Sequence, residues 1–280
     1  SSSVSSAYDT WTNDQLLEKL WGEHIHLGYY SKSINNTDFR QAKIDFVHNL
    51  VDWSGLKNLP RGSRIIDVGC GIGGSSRILA KDYGFDVIGI TVSAQQVRRA
   101  NELTPTDLSC KFVVMDALDL KFEDGTFDGV WSVEAGPHMP DKQLYADEML
   151  RILRPGGFLA IADWNRKDYQ KNELGIFDSI IMKQLLDQWA HPEFSSIKGF
   201  ELNLLNSRYS GFNVYSEDWT KFTIPSWNDS IVEGFRRPNV FIKLGAISFF
   251  KALREIPTIL LMRWSFYSGL MQFGVFRSRG

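Results

Sequence analysis

Asp67-Val68-Gly69-Cys70-Gly71-Ile72-Gly73-Gly74 closes the apolar run Ile65 to Val68 and opens directly into a helical pattern. Glycines at alternate positions permit a tight turn whose backbone lies against a ligand at the carboxyl end of a strand, because no Cβ blocks positive φ or close approach. Working outward, short apolar runs recur at Val87 to Ile90, Phe112 to Met115, Gly129 to Ser132 and Phe158 to Ala162, each too short for a helix and rich in β-branched or aromatic residues. Helical patterns separate them, starting near Ser75, Ser93 and Asp141, whose side chains can cap. The alternation predicts an α/β architecture with a mostly parallel sheet covered by helices on both faces.

Residues 1–60 read as a helical cover for that core. Thr12 and Gln15 have capping-box spacing, and Phe39, Ala42, Phe46, Val47, Leu50 and Val51 recur at helical spacing. Between these helices lies Trp21-Gly22-Glu23-His24-Ile25-His26-Leu27-Gly28-Tyr29-Tyr30, too rich in aromatics and histidine for a plain connection. The core is expected over 61–223, with a helical insertion at about 165–206 and a final strand or two between Gly211 and Thr223. Residues 224–280 read as a helical, aromatic and basic extension of one structural unit, since no repeat or linker interrupts the chain.

Composition narrows the function classes. Hydrophobic residues at 43% and charged residues at 23% describe a folded globular chain. A formal charge of −2 carries no global signal for nucleic acid, but from Ser230 onward eight Lys/Arg face two Glu, placing +6 there and −8 elsewhere. Two cysteines, Cys70 and Cys110, are too few for a disulfide framework and read as core fillers of a reducing compartment. The longest apolar stretch, Ile256 to Met262, has seven residues, against the roughly 20 that span a bilayer. An opening on Ser1, with five serines in six positions, predicts an upstream segment and leaves room for an anchor there.

The loop spacing is D-x-G-x-G-x-G, not the G-x-G-x-x-G of a dinucleotide site. Asp67 at the strand end suits a cationic amino-acid ligand better than a diphosphate, which favours S-adenosylmethionine over NAD. Asp116-Ala117 offers a carboxylate for an adenine amino group and a backbone N–H for its ring. No acid ends the second strand; there the Gln96 amide could reach the ribose with Thr91 near the ligand, although Ser93 and Gln96 also have capping-box spacing.

Asp67 to Gly74, Gly89 to Gln96, Asp116-Ala117 and Leu153-Arg154-Pro155-Gly156-Gly157 resemble class I S-adenosylmethionine-dependent methyltransferases, a Rossmann-like fold with a seven-stranded sheet. The Thr91-to-Gln96 variant is similar to the cyclopropane-fatty-acid synthase and sterol C-methyltransferase branch. Trp21 to Tyr30, Trp131 to Lys142, Ala162-Asp163-Trp164-Asn165 and Pro257 to Met262 resemble the cyanobacterial-type 2-methyl-6-phytyl-1,4-benzoquinol methyltransferases of tocopherol and plastoquinone synthesis. That resemblance covers nearly the whole chain. It implies S-adenosylmethionine contacts at Asp67, Gly69, Cys70, Gly71, Gly73, Thr91, Gln96, Asp116, Ala117, Ser132 and Tyr29. It also implies an acceptor-facing set of Trp21, His24, His26, Tyr30, Glu134 and Trp164, and S-adenosylhomocysteine as product.

Methyl transfer from a sulfonium is an in-line displacement, so the protein must chiefly hold the reactants and exclude water. A ring carbon is a poor nucleophile until an ortho hydroxyl, of pKa near 10 when free, gives up its proton. His138, just past the fourth strand, is the expected base, titrating near neutrality, with Asp163 at the end of the fifth strand orienting it or taking part. Trp21, Tyr29 and Tyr30 are expected to cover the sulfonium, a contact of about 0.5 to 2 kcal/mol. No metal is expected, because His24, His26 and His191 lack a third ligand at metal spacing.

A prenylated quinol resides in a bilayer. Lys251, Arg254 and Arg263 with Phe249, Phe250, Trp264 and Phe266 are therefore expected to meet the cytoplasmic face of a thylakoid or plasma membrane peripherally, with packing on the body as the alternative. No nucleic acid or obligate protein partner is expected. Competing functions are methylation of tocopherol or a sterol-like lipid, a lipid-binding module without catalysis, and a dehydrogenase, which the loop spacing disfavours.

Overall fold

The structure is a computed structural model that describes residues 16–31, 38–169, 173–188, 191–209, 213–237, 239–240 and 246–279, with side chains except at 16, 188, 246–249, 251 and 252. Thr12 and Gln15, and the side chains of Phe249 and Lys251, lie outside the described residues.

Five parallel strands form the expected core: β1 (Arg64–Val68), β2 (Asp86–Thr91), β3 (Cys110–Val114), β4 (Phe127–Val133) and β5 (Leu153–Arg166). With β6 (Asn213–Asp218) and β7 (Met271–Arg279) the sheet runs β3-β2-β1-β4-β5-β7-β6. Its order reverses between β1 and β4, which opens a crevice at their carboxyl ends.

The terminal segment departs from the expectation of a purely helical extension over 224–280. β7 inserts between β5 and β6, antiparallel to both, and pairs with β5 over nine positions from Phe158↔Arg279 to Arg166↔Met271. The physical reason is burial: Phe273, Val275 and Phe276 are fully enclosed, and the strand's N–H and C=O groups are satisfied on both sides.

Helices cover both faces. In chain order they are α1 (Leu16–Trp21), α2 (Phe39–Ser54), α3 (Gly74–Tyr83), α4 (Ala94–Leu103), α5 (Lys142–Ile152), α6 (Ile176–Gln188), α7 (Ile197–Leu205), α8 (Pro225–Arg236) and α9 (Ala246–Tyr267), with a single turn at Thr220–Thr223. Phe46, Leu50, Leu79, Met262 and Phe266 fill one side of the sheet; Tyr145, Met149, Phe200 and Leu204 fill the other. Ser93 and Asp141 cap α4 and α5 as expected, accepting from the Gln96 and Leu144 amides. α3 differs: it starts at Gly74 with Gly73 as its N-cap and no side-chain cap. Its first-turn N–H groups point back toward the glycine loop.

Candidate active site

β1 carries the loop to the crevice, and the Gly69 and Cys70 amides both donate to the Ile90 carbonyl at 2.9 Å, tying it to β2. Gly69, Gly71 and Gly73 have φ of 79°, 54° and 83°. A Cβ on Gly69 would stand 2.5 Å from Ala135 Cβ, and one on Gly73 would stand 2.5 Å from the Phe112 ring. At Gly71 nothing lies within 4 Å. Two glycines therefore permit packing, and the third leaves an open cradle that a side chain would fill. That cradle fits a donor lying on the loop backbone, as expected for S-adenosylmethionine.

Asp67 is buried, its Oδ2 accepts from the Ser76 hydroxyl at 2.5 Å, and desolvation pushes its carboxyl up to about 7. It is a carboxyl poised to ionise beside a cation. Thr91 donates to Gln96 Oε1 at 2.6 Å, and both are buried, so Gln96 serves the cap and this pair together. Asp116 is exposed, with Oδ1 accepting from the Leu118 amide at 2.9 Å, and Ala117 is buried beside it. The Cys70 thiol packs with Ala100 and Phe112, and burial holds its pKa well above the usual range.

Two of the expected cofactor contacts also take part in the packing. Ser132 is fully enclosed, its hydroxyl donating to the Val68 carbonyl at 2.7 Å and bonded to the Tyr145 hydroxyl, so it ties β4 to β1 and α5. Tyr29 stacks on Phe222 at 4.7 Å and meets Trp219 edge-on at 5.1 Å, joining the packing of the Trp219–Thr223 segment.

Directly after β4 comes Glu134, the only positive-φ residue other than glycine among the described residues, at 56°. This turns the chain into the 3-10 turn Gly136–His138. Asp163 Oδ1 accepts from the Gly136 amide at 3.0 Å, while Lys142 Nζ donates to the Gly136 and Met139 carbonyls at 2.8 and 2.5 Å. The turn is thus gripped from both sides. Asp163 bonds the backbone of the turn that carries His138. The His138 ring packs on His191, with centroids 4.4 Å apart.

Burial, with His191 and Lys142 adding to it, lowers the His138 pKa to about 3, not near neutrality as expected. Burial likewise lowers His191 to about 4, raises Asp163 well above the usual carboxylate range, and raises Glu134 to about 7.

The segment Trp21 to Tyr30 lies over the start of α3, where a Cβ on Gly74 would stand 2.7 Å from the Glu23 carbonyl. Arg77 Nη2 holds Glu23 at 2.7 Å and its Nη1 holds the Ile72 carbonyl at 2.8 Å, joining cover to loop. Glu134 Oε1 accepts from the Leu27 amide at 2.8 Å, and buried Lys43 donates to the His24 carbonyl at 2.5 Å. Tyr30 donates to Asp229 at 2.6 Å and Trp21 Nε1 to the Ser230 carbonyl at 3.2 Å, so both fasten the cover to α8. Trp164 lines a small cavity with Gly136, Pro137, Lys142 and Asp163.

Three functional residues were missed in the sequence. Lys43 was legible, a lone polar residue on the apolar stripe Phe39, Phe46, Val47, Leu50. Lys142 stands four residues after His138 within the quoted segment Trp131 to Lys142, whereas His191 reaches His138 only through the fold.

From His138 a file of rings leads outward: His191, Trp164 at 6.2 Å from it, Trp227 at 5.6 Å from Trp164, and Phe266 of α9 at 5.5 Å from Trp227. Phe266 is buried, contrary to its expected place in a membrane-contact group, because it packs on Trp227 beneath the helix. The opposite face of α9 exposes Phe250, Leu253, Pro257, Leu260, Trp264 and Tyr267 at alternating three- and four-residue spacing. Phe177 of α6 meets Trp264 edge-on at 5.4 Å, adding Ile176, Phe177 and Ile180 to this apolar surface.

Residues 66–161 match the family described as a methyltransferase domain. A sarcosine dimethylglycine methyltransferase structure from Galdieria sulphuraria superposes with a TM-score of 0.80 at 22% identity, covering 95% of this chain and 97% of that one. Sheet order, glycine cradle and family match define a class I S-adenosylmethionine-dependent methyltransferase. The chain is also 55% identical over 278 residues, 99% of its length and 87% of the other's, to a 2-methyl-6-phytyl-1,4-hydroquinone methyltransferase of Synechocystis. It is 33% identical to the chloroplastic tocopherol O-methyltransferase of Arabidopsis thaliana, over 93% of this chain and 77% of that one. The chain belongs to the 2-methyl-6-phytyl-1,4-hydroquinone methyltransferase family.

Proposed function

We propose that this enzyme methylates a ring carbon of a prenylated hydroquinone of the 2-methyl-6-phytyl or solanesyl type, which it takes from a lipid bilayer at the apolar face of α6 and α9. The end-to-end likeness to the Synechocystis enzyme carries this reading, because it spans the cover, the reactive turn and the terminal helix together. The file of rings from Phe266 to His138 supports it, joining that face to the turn by continuous apolar packing. Among the described residues no helix is long and apolar enough to cross a membrane, so the contact proposed is peripheral.

S-adenosylmethionine, held along Gly69 to Gly73 with Asp67, Thr91, Gln96 and Asp116 around it, supplies an electrophilic methyl group when bound. His138 accepts the hydrogen of the acceptor's hydroxyl at a ring nitrogen. Full transfer from a phenol of pKa near 10 to an imidazole at about 3 would cost on the order of 10 kcal/mol. The proton is therefore shared with His138 and leaves the hydroxyl only as the ring carbon takes the methyl group from sulfur. The dienone so formed loses its ring C–H proton to water or the same base while its oxygen regains a proton, which restores the aromatic hydroquinone. Asp163 and Lys142 are positioning residues that hold the turn.

A second reading makes Glu134 the proton acceptor. Its carboxyl, at about 7, stands roughly 4 kcal/mol from the phenol. Turnover separates them: His138→Ala should lower it at least tenfold with donor affinity nearly unchanged, whereas unchanged turnover would hand the role to Glu134. A panel of prenylquinols, tocopherols and sterols incubated with labelled donor, with the product isomer identified, tests the acceptor. Labelling of sterol or tocopherol alone would refute the prenylhydroquinone assignment, and no labelling of any acceptor would favour a non-catalytic lipid binder.

A further inference from the structure

His24 and His26 have no part in the mechanism above, yet their hydrogen bonds leave no freedom in where the protons sit. His26 Nδ1 lies 2.8 Å from the Leu27 carbonyl oxygen. A carbonyl only accepts, so Nδ1 carries the hydrogen. The ring is buried and desolvation lowers its pKa to about 3, which keeps it neutral and leaves Nε2 with a lone pair. That Nε2 faces His24 Nδ1 at 3.2 Å, so His24 donates from Nδ1.

Burial first, then His26, Lys43 and Arg77, hold His24 well below the ordinary histidine range, so its own Nε2 also keeps a lone pair. That nitrogen makes no hydrogen bond among the described residues and is not fully buried. The ring rests on the first residue of α3: a Cβ on Gly74 would stand 2.8 Å from His24 Nδ1 and 2.9 Å from its Cε1. Asp67 is fastened to Ser76 in the same helical turn. A neutral acceptor and a poised carboxyl thus converge where the glycine loop enters the helix.

We propose that His24 Nε2 is a standing hydrogen-bond acceptor for the aminoacyl ammonium of the methyl donor, its tautomer fixed from the Leu27 carbonyl through His26. The inference rests on the placement of the donor along the Gly71 cradle. A nitrogen that can only accept turns away a carboxylate and takes an N–H. The cover segment therefore reads the charged end of the donor as well as enclosing it.

Two measurements test this. In the ligand-free wild type, long-range ¹H–¹⁵N spectra of the histidine rings should show hydrogen on His24 Nδ1 and none on Nε2, with the Nε2 signal moving when S-adenosylhomocysteine is added. By calorimetry, His24→Phe, which keeps a ring over Gly74, should bind S-adenosylhomocysteine at least tenfold more weakly. Its affinity for 5′-methylthioadenosine, which lacks the aminoacyl part, should stay within about twofold. Equal losses for both ligands, no loss for either, or a hydrogen on Nε2 in the wild type would overturn the proposal. Wild-type protein that binds neither ligand would instead overturn the donor placement itself. The wild-type spectrum decides the tautomer even if the variant fails to fold.

Discussion

Glycine positions that look alike in the sequence do different work in the loop. Gly71 combines positive φ with open space, so Gly71→Asn, a residue that tolerates this backbone, should keep folding stability within about 1 kcal/mol and abolish S-adenosylhomocysteine binding. Gly69→Ala meets Ala135 at 2.5 Å and should instead lose roughly 2 to 3 kcal/mol in chemical denaturation. Equal behaviour of the two variants would contradict the division between cradle and packing. Glu134 gives a pH signature. Its folded pKa, about 7, lies above the 4.5 of an unfolded glutamate, so between those values the native state holds a proton that the unfolded chain has released. Wild-type stability from this group is whole below 4.5 and falls as pH rises to 7, by up to about 3 kcal/mol. Glu134→Gln has no such term, so its melting temperature relative to wild type should be higher at pH 8 than at pH 5; a gap independent of pH would refute the assignment. The same residue scale shows what local reading reaches. Ser93 and Asp141 were identifiable as caps because capping depends on neighbours three residues away, whereas the partners of His138 depend on β4, β5 and the insertion meeting.

The helices proposed to meet lipid, α6 and α9, leave large apolar side chains exposed. α9 buries Thr258, Met262, Ser265 and Phe266 on one side, as the packing alternative expected, and shows a stripe from Phe250 to Tyr267 on the other. Phe177 is 63% exposed and Trp264 37%, although their rings touch. Ordinary surfaces seldom leave such aromatics open in one contiguous patch. The double change Phe177→Ser with Trp264→Ser should cut sedimentation with anionic vesicles at least fivefold and raise KM for acceptor presented in vesicles, with S-adenosylhomocysteine affinity retained. Unaltered vesicle binding would remove this face from the proposed route. The contribution of α6 was not legible, because Ile176, Phe177 and Ile180 read as part of a helical insertion and only packing against α9 joins them to the same face.

At the scale of the whole molecule, the chain end is structural. β7 lies between β5 and β6, and the Arg277 guanidinium donates to the Trp53 carbonyl at 2.6 Å, linking the last strand to the end of α2. A chain shortened to end at residue 270 would expose the edge of β5 and orphan β6, so it should show no cooperative thermal transition by circular dichroism. A sigmoidal transition near that of the full chain would disprove this. The cover is integrated in the same way, since Gly28 donates to Ser226 of α8 at 2.6 Å and Tyr30 donates to the Phe222 carbonyl at 2.8 Å. Donor site, reactive turn and outer helices are consequently held by one continuous framework.

From the order of residues alone followed the parallel core, the glycine loop, the class of chemistry and the family, because each rests on signals a few residues long: alternating apolar runs, D-x-G-x-G-x-G and the segments around His24 and His138. Only the folded chain decided that Asp163 grips a backbone amide, that His191 lies against His138, that Ser132 bonds the Val68 carbonyl and Tyr29 stacks on Phe222, and that the tail supplies the seventh strand. Those outcomes depend on burial and on contacts between segments tens to hundreds of residues apart. Desolvation shifts a pKa, and enclosure satisfies a strand, only after the distant walls are in place.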